Sequence, residues 1–181
     1  HHPRDHVHAV KTPVYHDRHF GLWALNMPTI DPEVVRHSAR VRGDYGHGFS
    51  YGHFMMMKNP LGLAAVAAGV GGIFTLAQFK VTKNWLLKQR LPGEGPTEAQ
   101  RAKGWFHMNV VAQGGGETVL CRMAGGDPGY GDTAKMLAEA GLCLALDKTL
   151  PEHTGVITPA SAMGEALMPR LARAGLTLGL I

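Results

Sequence analysis

Cysteine and aromatic residues are scarce in this sequence, and each shortage excludes a class of protein. Its 181 residues include two cysteines. That number is too small to hold a secreted domain together with disulfides or to build a zinc ribbon, so we expect a reducing compartment. Aromatic residues make up 7% of the chain, and the formal net charge is +4. Because the basic residues are not interleaved with stacking aromatics, we expect no nucleic-acid partner.

The first 19 residues hold six of the 11 histidines of the chain. No two of them have the HExxH spacing of a zinc site, so we predict no bound metal. We expect residues 1–19 to form a flexible, histidine-rich terminus. The sequence starts with His1 rather than methionine and shows no signal peptide. We therefore expect it to be a piece of a longer protein.

Two helices are predicted from local signals. Asp31 is expected to cap a helix with Pro32 in its first turn, and Gly43 is expected to end that helix. The second helix, at 132–147, is apolar around most of its circumference. We therefore expect it to be deeply packed, with Cys143 in the core.

The other elements follow from hydrophobic periodicity and turn residues. They are a strand at 49–57, a helix at 61–79, a short helix after Thr97, a hairpin of strands 105–113 and 117–124, a helix at 160–174 and a strand at 176–181. No regular strand–helix–strand alternation is present. The fold class is therefore α+β, with a mixed or antiparallel sheet and packed helices.

Residues 61–79 form an uncharged run of 19 residues between Lys58 and Lys80. As a helix this run would be about 28 Å long, close to the hydrocarbon thickness of a bilayer. The tryptophan and lysines that follow are typical of a helix on a membrane surface, with shallow insertion favoured over a full span. The same run also fits a buried helix or a homodimer interface. The predicted membrane contacts are Phe74, Phe79, Lys80, Lys83, Trp85 and Lys88.

Three separated blocks carry a resemblance to a known family. They are GEGPTEAQRAKGWF at 93–106, GGDPGYGDTAKMLAEAGLCLAL at 125–146 and GVITPASAMGEALMPRLARAGL at 155–176. Together they resemble the carboxy-terminal half of the saccharopine dehydrogenase-like oxidoreductases, most of all the trans-acting enoyl reductase branch. The resemblance implies a Rossmann domain that binds NADP or NAD, followed by a mixed α/β substrate domain.

The resemblance also implies how the chain is divided. Residues 20–154 would form the substrate domain, and the helix and strand at 155–181 would pack on the Rossmann domain. We expect that domain to lie outside this chain, because none of the glycine clusters at 69–72, 114–116 and 125–131 has the GxGxxG pattern between a strand and a helix. This chain alone is therefore expected to bind no cofactor and to be inactive.

Reduction by a nicotinamide often needs a proton donor, and the chain offers several candidates. Tyr130 follows a glycine-rich stretch in front of a helix, where a phenol can face a cleft and the helix N-terminus can stabilise negative charge. Tyr51 and His53 would share one face of the strand at 49–57. The expected substrate contacts are Asp127, Thr133 and Lys135. Each also has a structural alternative, because Tyr130 can pack, Asp127 can cap the turn, and Thr133 and Lys135 can start the helix.

The favoured function is a substrate domain that takes part in reducing enoyl groups of lipid or polyketide intermediates. We expect it in the cytoplasm, at the inner face of a membrane. One alternative is a non-catalytic module that anchors to a membrane or a partner through residues 61–79. Another is a saccharopine-type amino-acid dehydrogenase, which would need arginines that clamp several carboxylates. The sequence shows no recognisable clamp of that kind.

Overall fold

A computed structural model describes residues 7–88, 93 and 95–181. The chain divides into two compact units, His1–Glu94 and Gly95–Ile181. Both units combine helices with sheets, and in the described residues two sheets are antiparallel and one pair of strands is parallel. The predicted α+β class is therefore confirmed. Residues 1–6, the first part of the predicted flexible terminus, lie outside the described residues.

The first unit is built from short strands and three helices within the described residues. Its strands are β1 His8–Ala9, β2 Val14–Asp17, β3 Leu22–Asn26, β4 Ser50–Tyr51 and β5 Phe54–Met57, and its helices are α1 Asp31–Arg42, α2 Pro60–Ala77 and α3 Lys80–Lys88. Strands β2, β3 and β5 form an antiparallel sheet in that order, and β1 pairs with β4. The beginning of α2 packs on this sheet, because α2 contacts both β3 and β5 and its first-turn residue Leu63 is buried.

Strands β1 and β2 correct the expectation of a flexible terminus for residues 8–17. Val14 pairs with Leu25 across the sheet, and the ring of Tyr15 meets the ring of Phe54 edge to face, with 5.0 Å between their centroids. The many histidines of this stretch obscured its partial alternation of apolar and polar residues. Pairing with β3, which lies farther along the chain, supplies the order.

The predicted strand at 49–57 is wrong as a single element. β4 ends at Tyr51 and pairs with β1, whereas β5 begins at Phe54 and pairs with β3. Gly52 separates them, and a Cβ there would lie 2.7 Å from the ring of Phe54. The chain passes too close to its neighbours for a side chain at that point. Tyr51 and His53 therefore do not lie on one strand face.

Helix α1 has the predicted length but not the predicted cap. Ile30 occupies the cap position without a side-chain hydrogen bond, and Asp31 is the first residue of the helix. Gly43 follows the helix with a φ of 72°, in the left-handed region that glycine adopts most readily. The predicted end is therefore confirmed, and the carboxylate of Asp31 is left for other contacts.

Helix α2 is exposed along most of its length. The side chain of Asn59 accepts a hydrogen bond from the N–H of Leu61 at 2.9 Å and caps its start. By length and composition alone α2 could cross a membrane, and 6% of its 18-residue apolar window is buried. The described residues of the first unit do not cover this helix. Of the predicted alternatives for the apolar run, burial within this unit is therefore not what the structure shows.

The second unit packs its helices near a three-stranded sheet. Its elements are α4 Glu98–Arg101, β6 Phe106–Gly114, β7 Glu117–Gly125, α5 Gly131–Leu146, α6 Pro159–Met163, α7 Leu167–Arg173 and β8 Thr177–Leu180. The antiparallel order is β6-β7-β8, and α7 contacts both α5 and β8. The buried apolar side chains among the described residues of this unit are Cys143, Met163, Leu171 and Leu176. The predicted hairpin, the core position of Cys143 and the cap at Thr97 are confirmed.

Two predictions about these helices are wrong. Helix α5 is not deeply packed in the described chain, because the side chains of Leu137, Leu144 and Leu146 are exposed. The predicted helix at 160–174 is broken into α6, a 3₁₀ turn and α7, and Gly164 has a φ of 54° at the break. Periodicity reports how apolar a helix is, but it reports neither what covers it nor where a glycine changes its direction.

Candidate active site

Tyr51 and His53 approach Asp31 in the first unit. Nδ1 of His53 lies 4.0 Å from Oδ2 of Asp31, and the charge of Asp31 acts on the Tyr51 phenol. The backbone carbonyl of His53 accepts a hydrogen bond from the N–H of Met27 at 2.9 Å, which holds the link between β4 and β5. The structure therefore brings the predicted pair together around a carboxylate, although not on one strand face.

The environment of Tyr51 favours a protonated phenol. Burial raises the pKa of Tyr51 above its ordinary value, because the low-dielectric surroundings disfavour the charged phenolate, and the negative charge of Asp31 raises it further. The ring stacks on Phe49, with 6.5 Å between the ring centroids. At neutral pH this side chain is therefore protonated, and it holds its proton more tightly than a free phenol does.

Asp31 is the member of this cluster whose role the sequence did not indicate. Its position before Pro32 and Glu33 suggested a helix cap. About 20 residues of chain separate it from Tyr51 and His53, and no local pattern links positions that far apart. Only the packing of α1 beside β4 reveals the contact.

The loop before α5 in the second unit is organised by Asp127. Its carboxylate accepts hydrogen bonds from the backbone N–H groups of Gly129, Tyr130 and Gly131 at 3.2, 3.1 and 2.9 Å. These bonds, the one from Gly131 first, lower the pKa of Asp127 below its ordinary value. The structural alternative for Asp127, a cap of the turn, is what the structure shows.

Thr133 and Lys135 are also used by the protein itself. The hydroxyl of Thr133 donates to the carbonyl of Pro128 at 2.5 Å, and Nζ of Lys135 lies 2.7 Å from Oδ1 of Asp132. Asp132 is buried and also accepts from the N–H of Gly126. The hydrogen bond from Lys135 is the main cause that lowers the pKa of Asp132. This arrangement favours the structural alternative for Thr133 and Lys135, although half of the lysine side chain stays exposed.

Tyr130 is half exposed at the N-terminal end of α5. Its ring and hydroxyl lie near Gly95, where an added Cβ would be 3.4 Å from the phenol oxygen. The position agrees with a phenol that reaches solvent, so Tyr130, the first proton-donor candidate from the sequence, stays a candidate. The stabilisation of negative charge that we expected from the helix N-terminus is weakened, because Asp127 already accepts from the N–H groups in front of α5.

A bidentate arginine–carboxylate pair was not predicted. Nε and Nη2 of Arg170 each lie 2.8 Å from an oxygen of Asp147, and Nη1 lies 3.4 Å from Glu139. The pKa of Asp147 falls to about 2, chiefly through the hydrogen bonds from Arg170. The buried thiol of Cys143 is hydrogen-bonded to the same carboxylate, and burial raises its pKa. This cluster ties α5 to α7 and offers no open position to a ligand's carboxylate.

The predicted membrane contacts lie on the exposed parts of α2 and α3 and on the turn between them. They are Phe74, Phe79, Lys80, Lys83, Trp85 and Lys88, and all are exposed. The hydroxyl of Thr82, in the first turn of α3, donates a hydrogen bond to the backbone carbonyl of Phe79 at 3.1 Å. These side chains are therefore presented together on the first unit.

The described residues do not fit a dinucleotide. Residues 69–72 lie inside α2, where glycines cannot wrap a pyrophosphate, and 115–116 form the hairpin turn. In the loop at 125–131 the backbone N–H groups that could bind a phosphate already donate to Asp127 or Asp132. A Cβ at Gly125 would meet Oδ2 of Asp132 and the ring of Phe106 rather than open space.

Metal-binding side chains are also dispersed. Within residues 7–88, 93 and 95–181, no three or more His, Cys, Asp or Glu side chains come together in a group that could hold an ion. Asp31 and His53 approach each other, but they are only two side chains. Two side chains are fewer than the three or four protein ligands that a zinc site uses.

The fold and site thus define an α+β protein in which a tyrosine and a histidine approach one carboxylate. Comparison with known proteins shows which proteins the chain is similar to. A Mycobacterium tuberculosis (strain ATCC 25618 / H37Rv) protein, provisionally named a trans-acting enoyl reductase, is 37% identical over 173 residues. The trans-acting enoyl reductases of Mycobacterium ulcerans (strain Agy99) and Mycobacterium leprae (strain TN) are 32% and 34% identical over 174 and 172 residues.

These matches cover most of this chain but not most of the relatives. They include 87% or 88% of the chain and 41% of the length of each relative. The names of the relatives support the enoyl reductase branch of the predicted resemblance, whereas the wider saccharopine dehydrogenase-like family stays a prediction. No family model matches the chain. No solved structure matches it either.

Proposed function

We propose that this chain supplies the substrate-contacting part of a nicotinamide-dependent enoyl reductase. The observation that carries the proposal is the similarity, over 87% or 88% of the chain, to proteins named trans-acting enoyl reductases. The substrate class that we propose is the enoyl groups of lipid or polyketide intermediates. The α+β architecture and the tyrosine–histidine–carboxylate cluster agree with this role.

Reduction of an enoyl group adds a hydride to one carbon of the double bond and a proton to the other. A nicotinamide supplies the hydride when it is bound. The described residues do not fit that cofactor, so we assign NADP or NAD to a Rossmann domain outside this chain and route no step through it here. The contribution that we propose for this chain is the proton and the orientation of the substrate.

Tyr51 is the donor that the geometry supports best. Its phenol is protonated at neutral pH, as that of a tyrosine ordinarily is, and it is partly buried near the Asp31 carboxylate, which His53 also approaches. As the proton leaves, negative charge develops on the phenol oxygen. Nδ1 of His53 lies 4.0 Å from Oδ2 of Asp31, so both of these groups border the phenol's surroundings. Tyr130 is the competing donor, because its phenol is half exposed.

The experiment uses a chimera in which this chain replaces the matching segment of the Mycobacterium leprae relative. We expect the chimera to oxidise NADPH in the presence of an enoyl thioester. Tyr51→Phe should lower kcat about 100-fold or more with little change in KM, because general acid catalysis contributes on that order. Tyr15→Phe is the matched control, since Tyr15 is also partly buried and its pKa is also raised, but it lies on β2.

The outcomes separate the alternatives. A large loss with Tyr130→Phe but not with Tyr51→Phe would move the donor to the second unit. Turnover of an imine but not of an enoyl thioester would favour the saccharopine-type alternative. No turnover of enoyl, imine or ketone substrates by a folded chimera that still binds NADPH would overturn the enzymatic proposal.

A further inference from the structure

The turn from α2 into α3 presents large apolar side chains to solvent. Phe74 is 61% exposed, Phe79 62% and Trp85 58%, and Ile73 and Val81 are exposed as well. We call residues 64–88 the apolar–basic surface. Exposure of this much aromatic and aliphatic area on neighbouring turns costs free energy in water, so the surface requires an occupant.

Charge indicates which occupant. From Tyr45 to Gly93 the sequence has no Asp or Glu, while it has four lysines and one arginine. Three of the lysines, Lys80, Lys83 and Lys88, lie on α3 itself. A protein partner with an apolar groove would not require that the charged side chains around the apolar ones all be positive. A surface that is both apolar and uniformly negative, the headgroup region of an anionic bilayer, complements it.

The arrangement along α3 suits an interface between water and lipid. Val81 and Trp85 are four residues apart and so share one side of the helix. Lys83 lies on the opposite side and Lys80 beside it, whereas Lys88, three residues after Trp85, lies next to the apolar side at the end of the helix. Tryptophan is the side chain that prefers the headgroup level, and lysines beside it can reach lipid phosphates.

The position of α2 in the fold opposes a full crossing. Its first turn belongs to the folded unit, because Leu63 is 4% exposed and a Cβ at Gly62 would contact the side chain of Met57. The 14 residues from Ala64 to Ala77 then span about 21 Å, less than the roughly 30 Å of hydrocarbon. End-on insertion would also carry the lysines of α3 into the hydrocarbon. A helix pair that lies along the surface avoids both costs.

We propose that the apolar–basic surface docks this protein on anionic lipid bilayers, with α2 and α3 in the plane of the interface. The phenylalanines and Trp85 enter the acyl boundary, and the lysines contact the phosphates. The inference does not depend on the enzymatic proposal. If both hold, a reductase that docks in this way acts where long acyl chains themselves partition.

The test measures binding of the chain to vesicles of phosphatidylcholine, with and without phosphatidylglycerol, by cosedimentation. We expect binding to rise with the anionic fraction and to fall as salt is added, because salt screens the lysines. In a Trp23→Phe/Trp105→Phe background the fluorescence of Trp85 should shift to the blue and be quenched by brominated acyl chains. No binding to anionic vesicles, or no change at Trp85, would overturn the proposal.

Matched variants identify the surface. The triple variant Lys80→Gln/Lys83→Gln/Lys88→Gln should weaken binding about 100-fold, roughly fivefold for each lysine. Phe74→Ser/Phe79→Ser should weaken it on every vesicle composition. The controls change equally exposed side chains elsewhere in the described chain, and they are Lys11→Gln/Lys103→Gln/Lys148→Gln and Leu137→Ser/Val156→Ser. Circular dichroism shows whether each variant is folded.

Two results would contradict this assignment. Equal losses in the lysine test set and the lysine control set would mean that net charge alone, and not this surface, drives binding. The second result is a dimer that forms without vesicles and that the Phe74→Ser/Phe79→Ser variant no longer forms. If the unsubstituted chain also bound no lipid, the surface would belong to an interface with a second copy of the chain.

Discussion

At the scale of single residues, the polar groups of the second unit are mostly committed to one another. Asp127 accepts three backbone N–H groups, and Asp147 is held by Arg170 and the Cys143 thiol. The first unit differs, because Asp31, Tyr51 and His53 meet without short hydrogen bonds among them that would fix all three. Side chains that are not held by hydrogen bonds to one another are easier for a substrate to engage than side chains that are.

The buried thiol of Cys143 gives a prediction at this scale. Its side chain is fully buried and its pKa is raised, so it should hold little thiolate and react slowly. In a Cys121→Ser variant, a disulfide reagent should modify no thiol quickly in the folded protein and one thiol after denaturation. We expect the rates to differ on the order of 100-fold. Rapid native-state reaction of Cys143 would contradict the packing of α5 against α7.

At the scale of elements, short local signals decide where helices and strands begin and end. Asn59, Thr97 and Thr158 each accept a hydrogen bond from a backbone N–H near the start of a helix. These caps depend on the type of residue and on its position just before a helix, and both can be read from the sequence. The same signals failed at Gly52 and Gly164, where contacts with distant residues or a left-handed backbone break an otherwise continuous pattern.

The hairpin turn between β6 and β7 gives a prediction at this scale. Gly115 and Gly116 have φ values of 60° and 83°, as a two-residue turn of mirror-image type requires. Gly116→Ala should lower the free energy of unfolding by about 1 kcal/mol, because a Cβ opposes this conformation. Gly114→Ala is the control, since Gly114 has no positive φ and open space around its Cβ position. Urea denaturation measures both, and equal effects would contradict the turn geometry.

At the scale of the whole molecule, apolar area remains uncovered in each unit. The first unit exposes α2 and α3, and the second exposes leucines of α5. The composition of these segments identifies them as apolar, but the described residues of their own units leave them exposed. The prediction that the helix and strand at 155–181 pack on a Rossmann domain stays open, while within the second unit α7 contacts α5 and β8 pairs with β7.

The second unit should lose stability in acid. The pKa values of Asp127, Asp132 and Asp147 are lowered by the fold, that of Asp147 to about 2. A lowered carboxyl pKa stabilises the folded state above the unfolded value of about 3.9, and the contribution disappears as pH falls through the folded value. We therefore expect the urea midpoint to be flat above about pH 5 and to fall between about pH 4 and about pH 2.

A variant tests the cause of that loss. Asp147→Asn removes a titrating group that Arg170 holds, so its urea midpoint should be lower near neutral pH and should fall less steeply in acid. An equally steep decline in this variant would show that Asp147 does not contribute to the acid sensitivity. Cys143 reactivity in the same samples shows whether the contact of α5 with α7 opens at the same pH.

The sequence by itself determined the fold class, the hairpin, most helix starts and the apolar–basic composition of residues 61–88. These depend on residue types within a few positions of one another, which local physics links directly. Only the three-dimensional structure decided that Asp31 approaches Tyr51 and His53 and that α2 is exposed in the first unit, because both depend on which distant segments lie side by side. It also decided between the alternatives for Asp127 and Lys135, whose contacts lie within four residues along the chain but whose roles the residue types alone leave open.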